Sequence, residues 1–170
     1  MITFEMELFM SKSNTNIKYF RGMCVFLVMV MFITLLSGCQ PVEPITASEF
    51  REIVEDLGYT VTDITDQYTQ HNHVLKSLVF QEDDLFVQFL EVDTRENAVG
   101  MFNTNRSFVE TQQGNMNSSS SINTAQHALY RLRTSTTYYI VRRIDTTVVY
   151  AHSSSANANR LDEIIRALGY

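Results

Sequence analysis

The sequence predicts an α+β domain: a mainly antiparallel sheet of about five to six strands with helices packed on one face. Two observations carry that expectation. Apolar stripes at helical spacing stand near both ends of residues 46–170, and a third helical stretch lies in the middle. Between them run short segments rich in Val, Ile, Phe and Tyr, joined by polar connections too short for the crossovers that parallel strands need. The element order is α-βββ-α-βββ-α.

The first helix opens at Thr46, with Glu49 three residues on as a capping box. Phe50, Ile53, Val54 and Leu57 then form one stripe, and Gly58 ends it. Leu161, Ile164, Ile165 and Leu168 repeat the stripe, closed by Gly169. Phe50–Tyr59 and Leu161–Tyr170 share Glu, Ile, Leu, Gly and Tyr at matching positions, a likeness that helix grammar alone produces. Tyr59–Ile64 reads as a strand. Val74–Phe80 and Leu85–Val92 read as a hairpin around Gln81–Asp84. Asp93 and Glu96 mark the start of the middle helix, which runs to about Glu110; Gly100 within it costs about 1 kcal/mol relative to alanine. Thr111–Thr124, with four consecutive serines, has too few apolar residues to offset ordering entropy and is expected to be a mobile loop. Gln126–Arg133, Thr137–Ile144 and Thr147–His152 complete the strands.

Ahead of this domain lies a different kind of segment. Lys12, Lys18 and Arg21 precede an apolar run from Met23 to Leu36, followed by Ser37-Gly38-Cys39. The run is short of the ~20 residues that span a bilayer. Positive n-region, short apolar core and small residues at the cut are the grammar of a secretory signal. Leu36-Ser37-Gly38-Cys39 resembles the lipobox of bacterial lipoproteins. That resemblance implies removal of residues 1–38 and a diacylglyceryl group on Cys39, which becomes the new N-terminus of a protein on the extracytoplasmic face of a bacterial membrane. Cys24, inside the apolar core, does not fit the pattern. A start at Met10 gives a more ordinary n-region, so residues 1–9 read as an over-extended beginning. Residues 39–45 then form a short tether containing Pro41 and Pro44, and 46–170 the single domain.

Composition narrows the function classes. The chain carries 13 Lys+Arg and 19 Asp+Glu, for a net charge of −6. It lacks the basic footprint that nucleic acid requires. The charge is divided: residues 40–110 are strongly acidic, and 111–170 are net basic. With Cys39 lipidated, the domain has no cysteine for a disulfide, metal or redox site. No cofactor is implied, no Gly-x-Ser-x-Gly elbow occurs, and His127 and His152 have no evident partners, so catalysis is not expected.

Four features are candidate sites. His71 and His73 would share a strand face and, with Glu82, Asp83 or Asp84, supply a histidine/carboxylate metal site; a metal-binding protein or metal-dependent hydrolase is the alternative function. The acidic turn Gln81–Asp84 reads more simply as a solvated tip. Arg131, Arg133, Arg142 and Arg143 lie on neighbouring strands, a basic patch for an anionic ligand, a lipid headgroup or an acidic protein surface. Tyr130, Tyr138, Tyr139 and Tyr150 could present an aromatic face to sugars or peptides. The leading expectation is a non-enzymatic binding or accessory module of the cell envelope, with another envelope protein or a small ligand as partner.

Overall fold

A computed structural model describes residues 43–114 and 118–170. The signal segment and Cys39 lie outside the described residues. Ten elements follow in order: α1 (Ala47–Asp56), β1 (Thr62–Asp63), β2 (Val74–Glu82), β3 (Leu85–Val92), α2 (Arg95–Thr111), β4 (Ser118–Asn123), β5 (His127–Arg133), β6 (Thr137–Ile144), β7 (Thr147–Ser154) and α3 (Ala158–Ala167). The seven strands make one sheet in the order β1-β2-β3-β7-β6-β5-β4, and every neighbouring pair is antiparallel. Two meanders are therefore joined by α2: β1 to β3 on one side, then β4 back through β7 to dock on β3.

The antiparallel α+β architecture is as the sequence implies, with two differences. The sheet has a seventh strand, because Ser118–Asn123 pairs with β5 along its whole length. A serine run has little intrinsic strand preference, but β-propensity is set by context, and here the backbone ladder decides. The helices also cover both faces. Phe80, Val87, Phe89, Ile140 and Val149 pack with α1 and α3, whereas Leu90, Leu132, Val141 and Val148 pack with α2. Consecutive strand residues point to opposite faces, so Phe89-Leu90 and Val148-Val149 each contribute to both cores.

α1 and α3 end alike. Gly58 and Gly169 have φ of +90° and +76°, the left-handed region that glycine enters without penalty. The amides of Gly58 and Tyr59 donate to Glu55 and Val54; those of Gly169 and Tyr170 donate to Arg166 and Ile165. Each pair is a Schellman closure. Both closures deliver a tyrosine into the same core: Tyr59 stacks on Phe80 at 4.6 Å, and Tyr170 shares a hydrogen bond with Thr147. At the other end of α1, Thr46 and Glu49 form the reciprocal capping box. α2 starts one residue later than expected, with Thr94 accepting from the Asn97 amide while Asp93 takes the Asn97 side chain.

Candidate functional site

α1 and α3 cover β2, β3, β7 and part of β6, and among the described residues no helix covers the β4–β5 end of their face. Three arginines occupy that end. Arg131 and Arg133 alternate with Leu132, which is buried against the α2 face, and so both project to the α1/α3 face. Arg142 on β6 stands opposite Leu129, which packs on the same side. These side chains form a shelf with the hydroxyls of Ser118 and Ser120, which pair with Arg133 and Arg131 respectively. A recess of about 250 Å³ is bounded by Ser118, Ser120, Arg131, Arg133, Tyr138 and Asp162.

The shelf has more cation than anion. Arg131 lies 4.0 Å from Asp162, whose carboxylate also accepts from Tyr138 at 3.0 Å. Arg131 Nε is buried with no hydrogen-bond acceptor among the described residues. Arg133 donates to the Ser155 carbonyl at 2.8 Å and lies over the Tyr138 ring. Arg142 lies over the Tyr170 ring, 5.9 Å from its centroid. Burial, then the neighbouring Arg131 charge, holds Arg142 below the ordinary arginine value, while burial and the Asp162 charge push Tyr138 up to about 12. Of these three, only Arg131 is ion-paired among the described residues, with Asp162; Arg133 is held by a carbonyl and a ring, and Arg142 by a ring. The larger recess beside α1, about 440 Å³, differs in this respect: its cations Arg51 and Lys76 already pair with Glu55 and Asp63.

Arg143 is not part of the shelf. Alternation turns it to the α2 face, where it is 2% exposed. Its guanidinium donates to the carbonyls of Thr124 at 3.0 Å and Gln126 at 3.2 Å, with longer contacts to Ala125 and Asp145. It therefore clasps the β4–β5 turn.

The histidine and carboxylate groups do not converge. His71 and His73 lie in the turn before β2 rather than on a strand, with ring centroids 5.6 Å apart. Val74 begins β2 and Glu82 ends it, so about 26 Å of strand at 3.3 Å per residue separates the histidines from the acidic turn. Among the described residues no three His, Cys, Asp or Glu side chains are placed to hold a metal ion. Gln81, Glu82 and Asp83 are exposed, as a solvated tip implies, and Asp84 is the exception. Asp84 accepts from the Ser154 amide and from Asn157, each at 2.8 Å, pinning the hairpin to the start of α3. Those hydrogen bonds pull its carboxyl down to about 2. A depressed carboxyl contributes stability above its unfolded value of about 3.9, and this is lost as pH falls from about 4 to about 2. Acid unfolding monitored by circular dichroism should accordingly be steeper across that window in the natural chain than in Asp84→Asn.

The tyrosines divide between faces. Tyr138 belongs to the α1/α3 core, while Tyr130, Tyr139 and Tyr150 face α2. Tyr130 is covered, with Arg106 over its ring at 5.2 Å and Gln113 donating to its hydroxyl. What remains half-buried is a row not evident from sequence: Phe86 stacks on His152 at 5.1 Å, with Tyr139 and Tyr150 beside it. Burial holds His152 below its ordinary value, favouring the neutral ring. The row lies in register across β3, β7 and β6, so it is explained as cross-strand packing. Asp162, Ser118 and Ser120 were likewise not candidates from sequence; long-range packing and the unexpected β4 bring them to the arginines. No known protein family, no curated protein and no solved structure matches this chain.

Proposed function

We propose that this chain is a lipid-anchored binding module on the extracytoplasmic face of a bacterial membrane, without catalytic activity, and that the arginine shelf is its ligand surface. The observation that supports this reading is the charge imbalance at the shelf, where Arg131 has one carboxylate partner, Asp162, and neither Arg133 nor Arg142 has an ion-pair partner among the described residues. Guanidinium groups with free donors suit carboxylate or phosphate oxygens, and the serine hydroxyls of β4 add neutral donors. The anchor is Cys39. Seven residues separate it from Ala47, at most about 27 Å of extended chain, so the tether holds the domain close to the bilayer. A diacylglyceryl group supplies two chains, enough for stable attachment without a spanning helix.

Calorimetric titration of the full-length chain in detergent, with pyrophosphate and with citrate, tests the shelf. Saturable binding is expected, weaker at higher salt because the groups are partly exposed. Arg131→Gln and Arg133→Gln should each weaken it roughly tenfold, the loss of one charge-assisted contact. Absence of binding, or an affinity in both variants unchanged from that of the natural chain, would remove the shelf as the ligand surface.

A further inference from the structure

We propose that β4 is a docking edge on which an acidic, extended segment of a partner protein adds as an eighth antiparallel strand, its carboxylates meeting Arg131 and Arg133. The proposal rests on the anion-binding reading of the shelf and names the partner.

The first observation is the edge itself. All six residues of Ser118–Asn123 are exposed, and among the described residues β5 is the only strand paired with them. In an antiparallel ladder alternate residues turn their N–H and C=O groups away from the existing neighbour. Edge strands are ordinarily blunted by lysine, proline, a bulge or shortness. β4 has no charge and no proline, and its register with β5 runs unbroken from Ser118↔Arg133 to Asn123↔Ala128. The opposite edge, β1, is two residues long and has the Lys76–Asp63 ion pair beside it. The two ends of the sheet are therefore unlike, and only β4 offers a long uncharged ladder.

The second observation is what lies behind that edge. On the α1/α3 face Ser118 and Ser120 stand between the rim and the arginines of β5, and Ile122, 56% exposed, stands beside Leu129. An added strand would run about 4.8 Å outside β4 and about 9.6 Å from β5. In the free domain Arg131 and Arg133 lean toward Asp162 and the Ser155 carbonyl; serine side chains are short, so on docking the long arginine stems swing over them to the new strand. The incoming segment, running antiparallel to β4, places an apolar residue beside Ile122, then acids beside Ser120 and Ser118. Its order is apolar-x-acid-x-acid.

Charge selects this occupant over two others. A second copy pairing antiparallel through β4 keeps the same face up, so arginines meet arginines across the serine rim with no acid between them. An anionic membrane would meet Glu52, Glu55 and Asp56, exposed on α1, which covers the same face of the sheet.

The test is fluorescence anisotropy of a labelled peptide, Thr-Ile-Thr-Glu-Thr-Glu-Thr, with the full-length chain in detergent. Saturable binding is expected, at least about tenfold weaker when both Glu become Gln. Two further peptides carry N-methyl groups on one or the other alternate set of amides. Only the set facing β4 should abolish binding, a signature of ladder formation that simple charge attraction does not produce. Equal binding of both methylated peptides would overturn strand addition. Failure of the peptide while pyrophosphate still binds would overturn it too, leaving the anion reading intact. Failure of both ligands would remove that reading and this inference together. A cross-linked dimer that the peptide does not dissolve would assign the edge to a second copy, against the proposal.

Discussion

Arg143→Ala is expected to destabilise the domain by about 3 kcal/mol and to loosen the β4–β5 end of the sheet selectively. The guanidinium is 2% exposed and donates to the carbonyls of Thr124 and Gln126. Its removal leaves a cavity beneath the turn and takes away the part-buried, charge-assisted hydrogen bonds that hold it, each worth about 1.5–3 kcal/mol. The Gln126 carbonyl keeps its bond from the Asp145 amide, which moderates the total. Arg143→Lys should recover part of the loss, since one ammonium reaches fewer of these acceptors. Denaturant unfolding gives the magnitude. Hydrogen exchange gives the location: protection should fall first in β4 and β5, with β2 and β3 spared. Uniform loss across the sheet would contradict the clasp. The consequence for function is direct, because the clasped turn carries β4 onto Arg131 and Arg133.

Phe89→Ala should be at least as damaging, about 3–5 kcal/mol. Phe89 is fully buried on the central β3 and stacks on Phe50 of α1 with ring centroids 5.0 Å apart. The pair joins the first helix to the middle of the sheet, so truncation removes both area and an aromatic contact. For a domain of this size that corresponds to a fall in Tm of about 10–20 °C. Phe89→Leu, which keeps most of the volume, should cost well under half as much. A fall of only a few degrees for alanine would mean that α1 docks through other contacts.

The helices show how far local pattern reaches. Thr46, Glu49, Gly58 and Gly169 mark their boundaries through bonds between residues a few positions apart, and such grammar is visible in a one-dimensional string. Two-sided burial of the sheet was also written locally. Phe89-Leu90 and Val148-Val149 place apolar side chains on both faces, the mark of a strand covered above and below. Expecting helices on one face overlooked that pairing. β4 is different. Nothing in Ser118–Ser121 favours a strand, and the segment is ordered by its pairing with β5, which no local periodicity announces.

The candidate site was legible in part for the same reason. Alternation alone places Arg131 with Arg133 and turns Arg142 and Arg143 to opposite faces. The fourth arginine could thus have been separated from the other three by parity. Asp162 could not be anticipated, since it reaches Tyr138 and Arg131 from α3 through tertiary packing. His71 and His73 do lie together, but in a turn rather than along a strand, and the acids of the hairpin lie at the far end of β2, so the expected histidine/carboxylate cluster is not assembled.

The proposed attachment of the domain to a membrane through Cys39 is tested most directly by intact mass with membrane fractionation of the natural chain against Cys39→Ser. The expected result is a chain cut before Cys39 that carries a lipid-sized mass increment and stays with the membrane, with both properties lost in the variant. An unmodified chain of full length, distributed identically in the two, would contradict the anchor and with it the setting in which the arginine shelf meets its ligand.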